Sequence, residues 1–293
     1  MIYISEKKHL NLDAFSIENE YLDVKVLKDF GAKICSIRNK NPDYEFLFQP
    51  TKKFYEKPKF GDDFSKYDTS GADEMLPTID KCLYPNTDII LPDHGDLWAL
   101  KWENIIIDDY LKSSVNLKSL DLKFSRNIRL SDSKIILEYE LINLSDMDIY
   151  YLWAFHGLLN FDDATEISIS KNIEIENVID FKKYDFDYTL LREYPDKGQY
   201  KFYFKNPLDN GEIEAIFRNQ ALKLRYEFDE NINKYLGFWI TKGGFKGEYN
   251  FAIEPASGYY DSLDTAIKND KITMIKANSK INWNLNIIID NLR

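Results

Sequence analysis

A few histidines and carboxylates hold most of the reactive chemistry in this 293-residue chain. His94 lies in LPDHGDLW, Leu91 to Trp98, with Pro92 and Asp93 before it and Gly95 after it. Those neighbours predict a turn, so the imidazole has no helix face to fill. It can stay solvated, bond a nearby carboxylate such as Asp93 or Asp96, or face a ligand. Trp98 and Trp102 follow closely, and aromatic faces suit the C–H surface of a sugar. His156 ends the strand-like run IYYLWAFHG, Ile149 to Gly157. Tyr151, Trp153 and Phe155 take one face, and Leu152, Ala154 and His156 take the other. Ala154 leaves open volume beside the imidazole; the alternative is a core histidine bonded to a backbone carbonyl.

Glu254 ends a similar run, EYNFAIE, and Pro255 holds it extended. Tyr249, Phe251 and Ile253 read as the core face, and Glu248, Asn250, Ala252 and Glu254 as a polar or small face. Both His156 and Glu254 therefore stand at a strand end, two residues after an alanine. They can face each other across one groove; the alternative for Glu254 is a solvated strand glutamate. Asp73 and Glu74, in SGADEMLPTID, are adjacent loop carboxylates. They can bind sugar hydroxyls or a cation, or remain a solvated pair.

The elements that must position these groups are strands. Residues alternate with period 2 through Tyr21–Leu27, Leu120–Phe124, Leu222–Glu227 and Ile281–Ile287. Turn clusters punctuate them at Ser131-Asp132-Ser133, Asp209-Asn210-Gly211 and Gly243-Gly244. The linker LSDSK, Leu130 to Lys134, predicts a hairpin. One short helix is predicted at Ser262–Lys268, with Asp261 or Ser262 as N-cap and Asn269 as its stop. The expected class is all-β, an antiparallel sandwich, since no blade-length repeat supports a propeller. No Pro/Gly/Ser-rich linker divides the chain, which predicts a single domain over 1–293. Gln49–Leu91 is the least strand-like stretch, and so long a loop region in a compact domain tends to be functional.

Composition excludes several classes. Lys plus Arg number 38 against 49 Asp plus Glu, a formal charge of −11, which repels nucleic-acid phosphates. Two cysteines, Cys35 and Cys82, cannot build a disulfide scaffold or a thiolate zinc site. There is no GxGxxG, no Gly-rich loop ending in Lys-Ser/Thr, no HExxH and no GxSxG. The first fifteen residues lack an apolar signal region, and no apolar run approaches membrane-spanning length, so a soluble cytoplasmic protein is expected.

Five segments occur in an order that resembles the aldose 1-epimerase (galactose mutarotase-like) family: GAKICSI with EFLFQ, GADEMLP, His94-Gly95 with Trp98, WAFHGLLNF, and IEPASGYYDSL. They cover about 220 residues, and their ordered co-occurrence is more specific than any one of them. The resemblance implies a large β-sandwich whose concave sheet binds a sugar, and a reaction that interconverts the α and β anomers of an aldose. It implies His156 as the general acid at the ring oxygen and Glu254 as the base for the anomeric hydroxyl. His94 would assist at the ring oxygen and hold the sugar. Asp73, Glu74, Asp96 and Trp98 are the candidate sugar contacts. No metal or organic cofactor is needed, and the implied partner is a small aldose, with neither nucleic acid nor membrane involved.

The chain departs from the family pattern in four places. Asp62–Asp93 contains no arginine, Asp96-Leu97-Trp98 stand where another arginine is common, and Gly157 replaces a usual proline. The sugar-binding aspartate between the second histidine and the glutamate has no counterpart. The matched segments around His94, His156 and Glu254 also offer no Arg or Lys cluster, which argues against a sugar phosphate. Two other functions use the same residues: a non-catalytic carbohydrate-binding protein, and a glycosidase pairing Glu254 with Asp73 or Glu74.

Overall fold

A computed structural model describes residues 1–169, 174–207 and 210–292. The strands that matter for the site are β1 (Leu22–Leu27), β2 (Ile34–Lys40), β3 (Ala72–Met75), β4 (Leu122–Ser131), β5 (Lys134–Asn143), β6 (Ala154–Leu159), β7 (Gln199–Phe204), β8 (Leu222–Phe228), β9 (Tyr235–Lys242) and β10 (Tyr249–Ala256). Helix α1 (Leu263–Lys268) and strand β11 (Lys280–Asn291) follow. Among the described residues the strands form an eleven-stranded and an eight-stranded sheet, both antiparallel, with two small two-stranded ribbons. The larger sheet carries β1-β2-β3-β6-β10-β9-β7 in that order, and the smaller carries β8-β11-β5-β4.

The two sheets stack because each presents one apolar face. Strand β8 buries Leu222, Leu224, Tyr226 and Phe228 and leaves the intervening residues partly exposed. Strand β11 buries Trp283, Leu285, Ile287 and Ile289. From the larger sheet, Phe155 meets Tyr226 edge-on, and Trp153, just before β6, packs on Tyr139 and Trp283. This is the core expected of an aligned sandwich. Ser131 pairs with Lys134, so the predicted hairpin turns at Asp132-Ser133, with Asp132 in the left-handed region. Ser262 is the N-cap residue of α1 and Asn269 its C-cap. Part of the turn expected at Asp209-Asn210-Gly211 lies outside the described residues, since Asp209 is not among them.

The alternation of β1 predicts one solvated face, and the structure differs there. Asp23 is buried and accepts the Ser16 hydroxyl at 2.7 Å. The side chains beside it on the same face, Ser16 and Lys25, cover its carboxylate. Within Gln49–Leu91 the chain forms β3, a short 3-10 turn (Phe64–Lys66) and a small ribbon joining Cys82–Leu83 to Ile90–Leu91. No helix among the described residues is long and apolar enough to cross a membrane.

Candidate active site

Cross-strand register builds the site. Residues opposite each other on antiparallel strands share a sheet face, so each set of partners forms a transverse row. Tyr203 on β7 faces Gly237 on β9, and Gly237 faces Glu254 on β10. Ala154 stands opposite Ala256 and Leu158 opposite Ala252, which puts His156 opposite Glu254. His156 in turn faces Asp73 on β3. One row thus holds Tyr203, Gly237, Glu254, His156 and Asp73. Two residues along, roughly 7 Å away at strand rise, the next row holds Lys201, Trp239, Ala252 and Leu158. The row beyond it holds Gln199, Thr241 and Asn250.

These rows floor a cavity of about 430 Å³ whose walls include His94, His156 and Glu254. His156 Nε2 lies 3.9 Å from Glu254 Oε1. Glu254 is fully buried. Its Oε2 accepts the Lys201 ammonium, while Oε1 has no hydrogen-bond partner. The His156 Nδ1 is also unpartnered. The open Glu254 oxygen, with His156 Nε2 beside it on the same cavity wall, marks where a polar ligand would bond. Gly237 matters for space: a Cβ there would stand 3.2 Å from Glu254 Oε2.

His94 arrives from the turn after the small ribbon. It has φ 56°, and its N–H donates to Ile79 O at 2.5 Å. Its Nδ1 is 2.9 Å from Asp93 Oδ1, and its ring stacks on Phe64 with centroids 4.0 Å apart and planes 9° from parallel. Asp93 Oδ2 also accepts the Phe64 N–H at 2.8 Å, so one carboxylate fixes both rings of the stack. The His94 and His156 rings meet edge to face at 5.6 Å. Gly95 has φ 71°, and a Cβ there would lie 2.2 Å from Leu76 O, so the chain can pass only as glycine.

Burial raises the Glu254 carboxyl above the ordinary carboxylate range, opposed by Lys201. Burial also drives the His156 imidazole well below its ordinary value, and the nearby His94 and Lys201 push the same way. Burial works against the Lys201 charge, but Asp261 and Glu254 outweigh it and hold the ammonium above its usual value. Asp261 Oδ1 is 3.5 Å from Lys201 Nζ and accepts the Tyr203 hydroxyl at 2.6 Å. Asp261 therefore serves the cavity and does not cap α1.

The structure does not bring the other candidate contacts to the cavity wall. Glu74 faces the opposite way, between the sheets, where it accepts Arg126 Nη1, the Tyr139 hydroxyl and the Trp153 indole N–H, each at 2.9 Å. Alternation along β3 sends Asp73 to the other face, and there Lys33 Nζ binds it at 2.9 Å. The predicted loop pair is thus a strand whose neighbouring side chains point to opposite faces. Asp96 is buried and accepts the Lys118 and Ser119 N–H groups at 2.6 and 2.8 Å, which pins a loop. Trp98 is buried behind Phe64, with its indole N–H on Asp93 O at 3.0 Å, and Trp102 is buried with its N–H on Leu97 O. Neither indole lines the cavity; Trp239, half-buried, does.

Lys201 and Trp239 escape sequence reading. A lysine or a tryptophan in a strand reads as solvated or as core, and only the register places them beside Glu254. One signal was available: Lys201 sits between Tyr200 and Phe202, whose large side chains claim the core face.

No protein-family model matches the sequence, and no curated protein matches it. Solved structures do. The Slr1438 protein of Synechocystis sp. PCC 6803 aligns with a TM-score of 0.76 and 16% identity, over 99% of this chain and 100% of that one. A galactose mutarotase-like protein of Clostridium acetobutylicum aligns at 0.72 and 16%, over 99% of each chain. A galactose mutarotase-like protein of Lactobacillus casei aligns at 0.67 and 13%, over 94% of this chain and 100% of that one. At such identities the likeness is one of fold, and the chain has the galactose mutarotase-like fold.

Proposed function

We propose that the protein is an aldose 1-epimerase, interconverting the α and β anomers of a sugar at the Glu254–His156 pair. The observation that carries this reading is the pair's geometry: an unpartnered carboxylate oxygen 3.9 Å from an imidazole nitrogen, inside a cavity large enough for a sugar. The galactose mutarotase-like names of the similar structures support it.

Glu254 Oε1 takes the proton of the C1 hydroxyl, and the C1–O5 bond breaks with its electron pair moving to O5. His156 Nε2 delivers a proton to O5, and His94, held by Asp93 and Phe64, orients the ring-oxygen side. Rotation about C1–C2 presents the other carbonyl face. Closure then runs both transfers backwards: O5 returns its proton to His156 as it attacks C1, and Glu254 returns its proton to O1. Each group is therefore acid in one half and base in the other. That reversibility favours similar proton affinities, and burial moves the carboxyl up and the imidazole down towards each other.

The sugar is most simply neutral. Lys201 is the cavity's lysine, and Glu254 and Asp261 already engage it, while Asp63, Asp80, Asp93 and Glu248 add acidic walls. Polarimetry on freshly dissolved single anomers of hexoses and pentoses tests the reading. Wild-type protein should accelerate equilibration, and Glu254→Gln and His156→Asn should each lose roughly 10²–10⁴-fold. Buffer rates across the whole panel would refute it.

A further inference from the structure

We infer that two copies of this chain join along the strand Glu103–Ile107, pairing antiparallel about a two-fold axis at Ile105.

This strand ends the smaller sheet and, among the described residues, pairs on one side alone, with Tyr110–Asn116. Its outer backbone N–H and C=O groups are therefore a template for another strand. Its side chains do not discourage that pairing. Ile105 is 57% exposed and Ile106 43%. Ile106 stands opposite Leu111, which is fully buried, so it belongs to the core-facing side of the sheet. Ile105 stands opposite Lys112, on the other side. Both faces of this edge are thus apolar and uncovered. The other ends of the two large sheets are defended. Tyr3–His9 carries Lys7 and Lys8, ion-paired with Glu18 and Asp13. The outer side of Thr165–Ser168 is bridged by Leu190. Ile175–Asn177 is three residues long, and its Glu176 accepts the Tyr259 hydroxyl.

Charge selects both the occupant and the register. A two-fold axis perpendicular to the sheet makes one residue face its own copy. With Ile105 on the axis, Asn104 faces Ile106 of the other copy and Glu103 faces Ile107. Just beyond the strand ends, Lys101 faces Asp109, and symmetry makes that contact twice. Lys101 and Asp109 are both exposed, and neither is ion-paired within its own chain among the described residues. Moving the axis to Ile106 sets Glu103 against Asp109, two like charges. Moving it to Asn104 sets Lys101 against Ile107 and leaves Asp109 without a cation. Of the three registers, the one centred on Ile105 brings the isoleucines together and matches the charges. An edge that complements itself in this way fits a second copy of the same chain. One strand pair buries less than the roughly 1,200 Å² of stable interfaces, so the dimer is a weak one with micromolar dissociation. No residue of this strand lines the Glu254 cavity, so pairing leaves that cavity open.

Sedimentation velocity of the full-length protein, run from low to high micromolar concentration, tests the inference without reference to any sugar. The wild type should show a concentration-dependent monomer–dimer equilibrium. Ile105→Lys sets two ammonium groups face to face on the axis and should weaken association by at least about tenfold. Lys101→Glu should weaken it as well, and Lys101→Glu combined with Asp109→Lys should restore it. Ile105→Cys should yield a disulfide-linked dimer on mild oxidation. Ile106→Cys should not, because residue 106 lies diagonally across from its own copy, beyond disulfide reach. The wild type, with Cys35 and Cys82, is the control for that experiment. A monomer at every concentration, a dimer that Ile105→Lys leaves intact, a charge swap that fails to restore association, or cross-linking at position 106 in place of 105 would overturn the inference.

Discussion

Glu254 and His156 share a cavity, and burial acts on both by disfavouring charge. For the carboxyl that means a higher pKa, for the imidazole a lower one. The proposed anomer exchange needs an ionised Glu254 and a protonated His156. Activity should therefore fall on the acid side as Glu254 protonates, above the ordinary carboxylate range. It should fall on the alkaline side as His156 loses its proton, below the usual imidazole value of about 6.5. A kcat/KM–pH profile checks this, and its two limbs belong to the pair jointly. Lys201 lowers both groups. Lys201→Met should thus move both limbs to higher pH, whereas a purely structural lysine would lower the rate without shifting the profile. At this scale the acid–base candidates were legible, since His94, His156 and Glu254 stand at turn or strand-end positions. Lys201 was not, because a lone strand lysine looks solvated until its cross-row neighbours are known.

The turn around His94 shows what an element must contribute. Residues Asp93 to Asp96 cross over Leu76, with Asp96 N–H on Leu76 O at 2.7 Å, so this approach decides where the imidazole stands. Gly95→Ala would force a side chain into Leu76 O and hold alanine at a positive φ. It should cost about 1–3 kcal/mol in denaturant unfolding, with loss of activity beyond that stability change. Phe64→Ala removes the stack on His94 and should raise KM more than it lowers kcat in steady-state kinetics, because the ring orients His94 and makes no proton transfer. Strand periodicity was readable where one face is solvated, as in β8 and β11. It misled at Asp73-Glu74, where a four-residue strand is too short to display its alternation. The helix was readable because Ser262 and Asn269 bracket a brief helical pattern.

Across the whole molecule, Glu74 ties the two sheets together. It stands on β3 of the larger sheet and receives Arg126 from β4 and Tyr139 from β5 of the smaller one. Both members of the ion pair are completely buried. Removing one partner strands the other charge in the core, so Glu74→Ala should lose about 3–5 kcal/mol of unfolding free energy. Chemical denaturation measures this, and the folded fraction should keep its activity per molecule because Glu74 faces away from the cavity. The sandwich class followed from period-2 patterning together with the lack of a blade-length repeat. Which carboxylates serve the interior and which serve the cavity did not, because that depends on side-chain direction across two stacked sheets.

The proposed function stands on anomer exchange at the Glu254–His156 pair. Magnetisation transfer between the α and β H1 resonances of an aldose, recorded with catalytic amounts of protein at mildly acidic pH, tests this directly. The predicted result is rapid exchange with wild-type protein that collapses to the buffer rate in Glu254→Gln. Exchange undiminished in that variant, or none above buffer with any aldose, would contradict it.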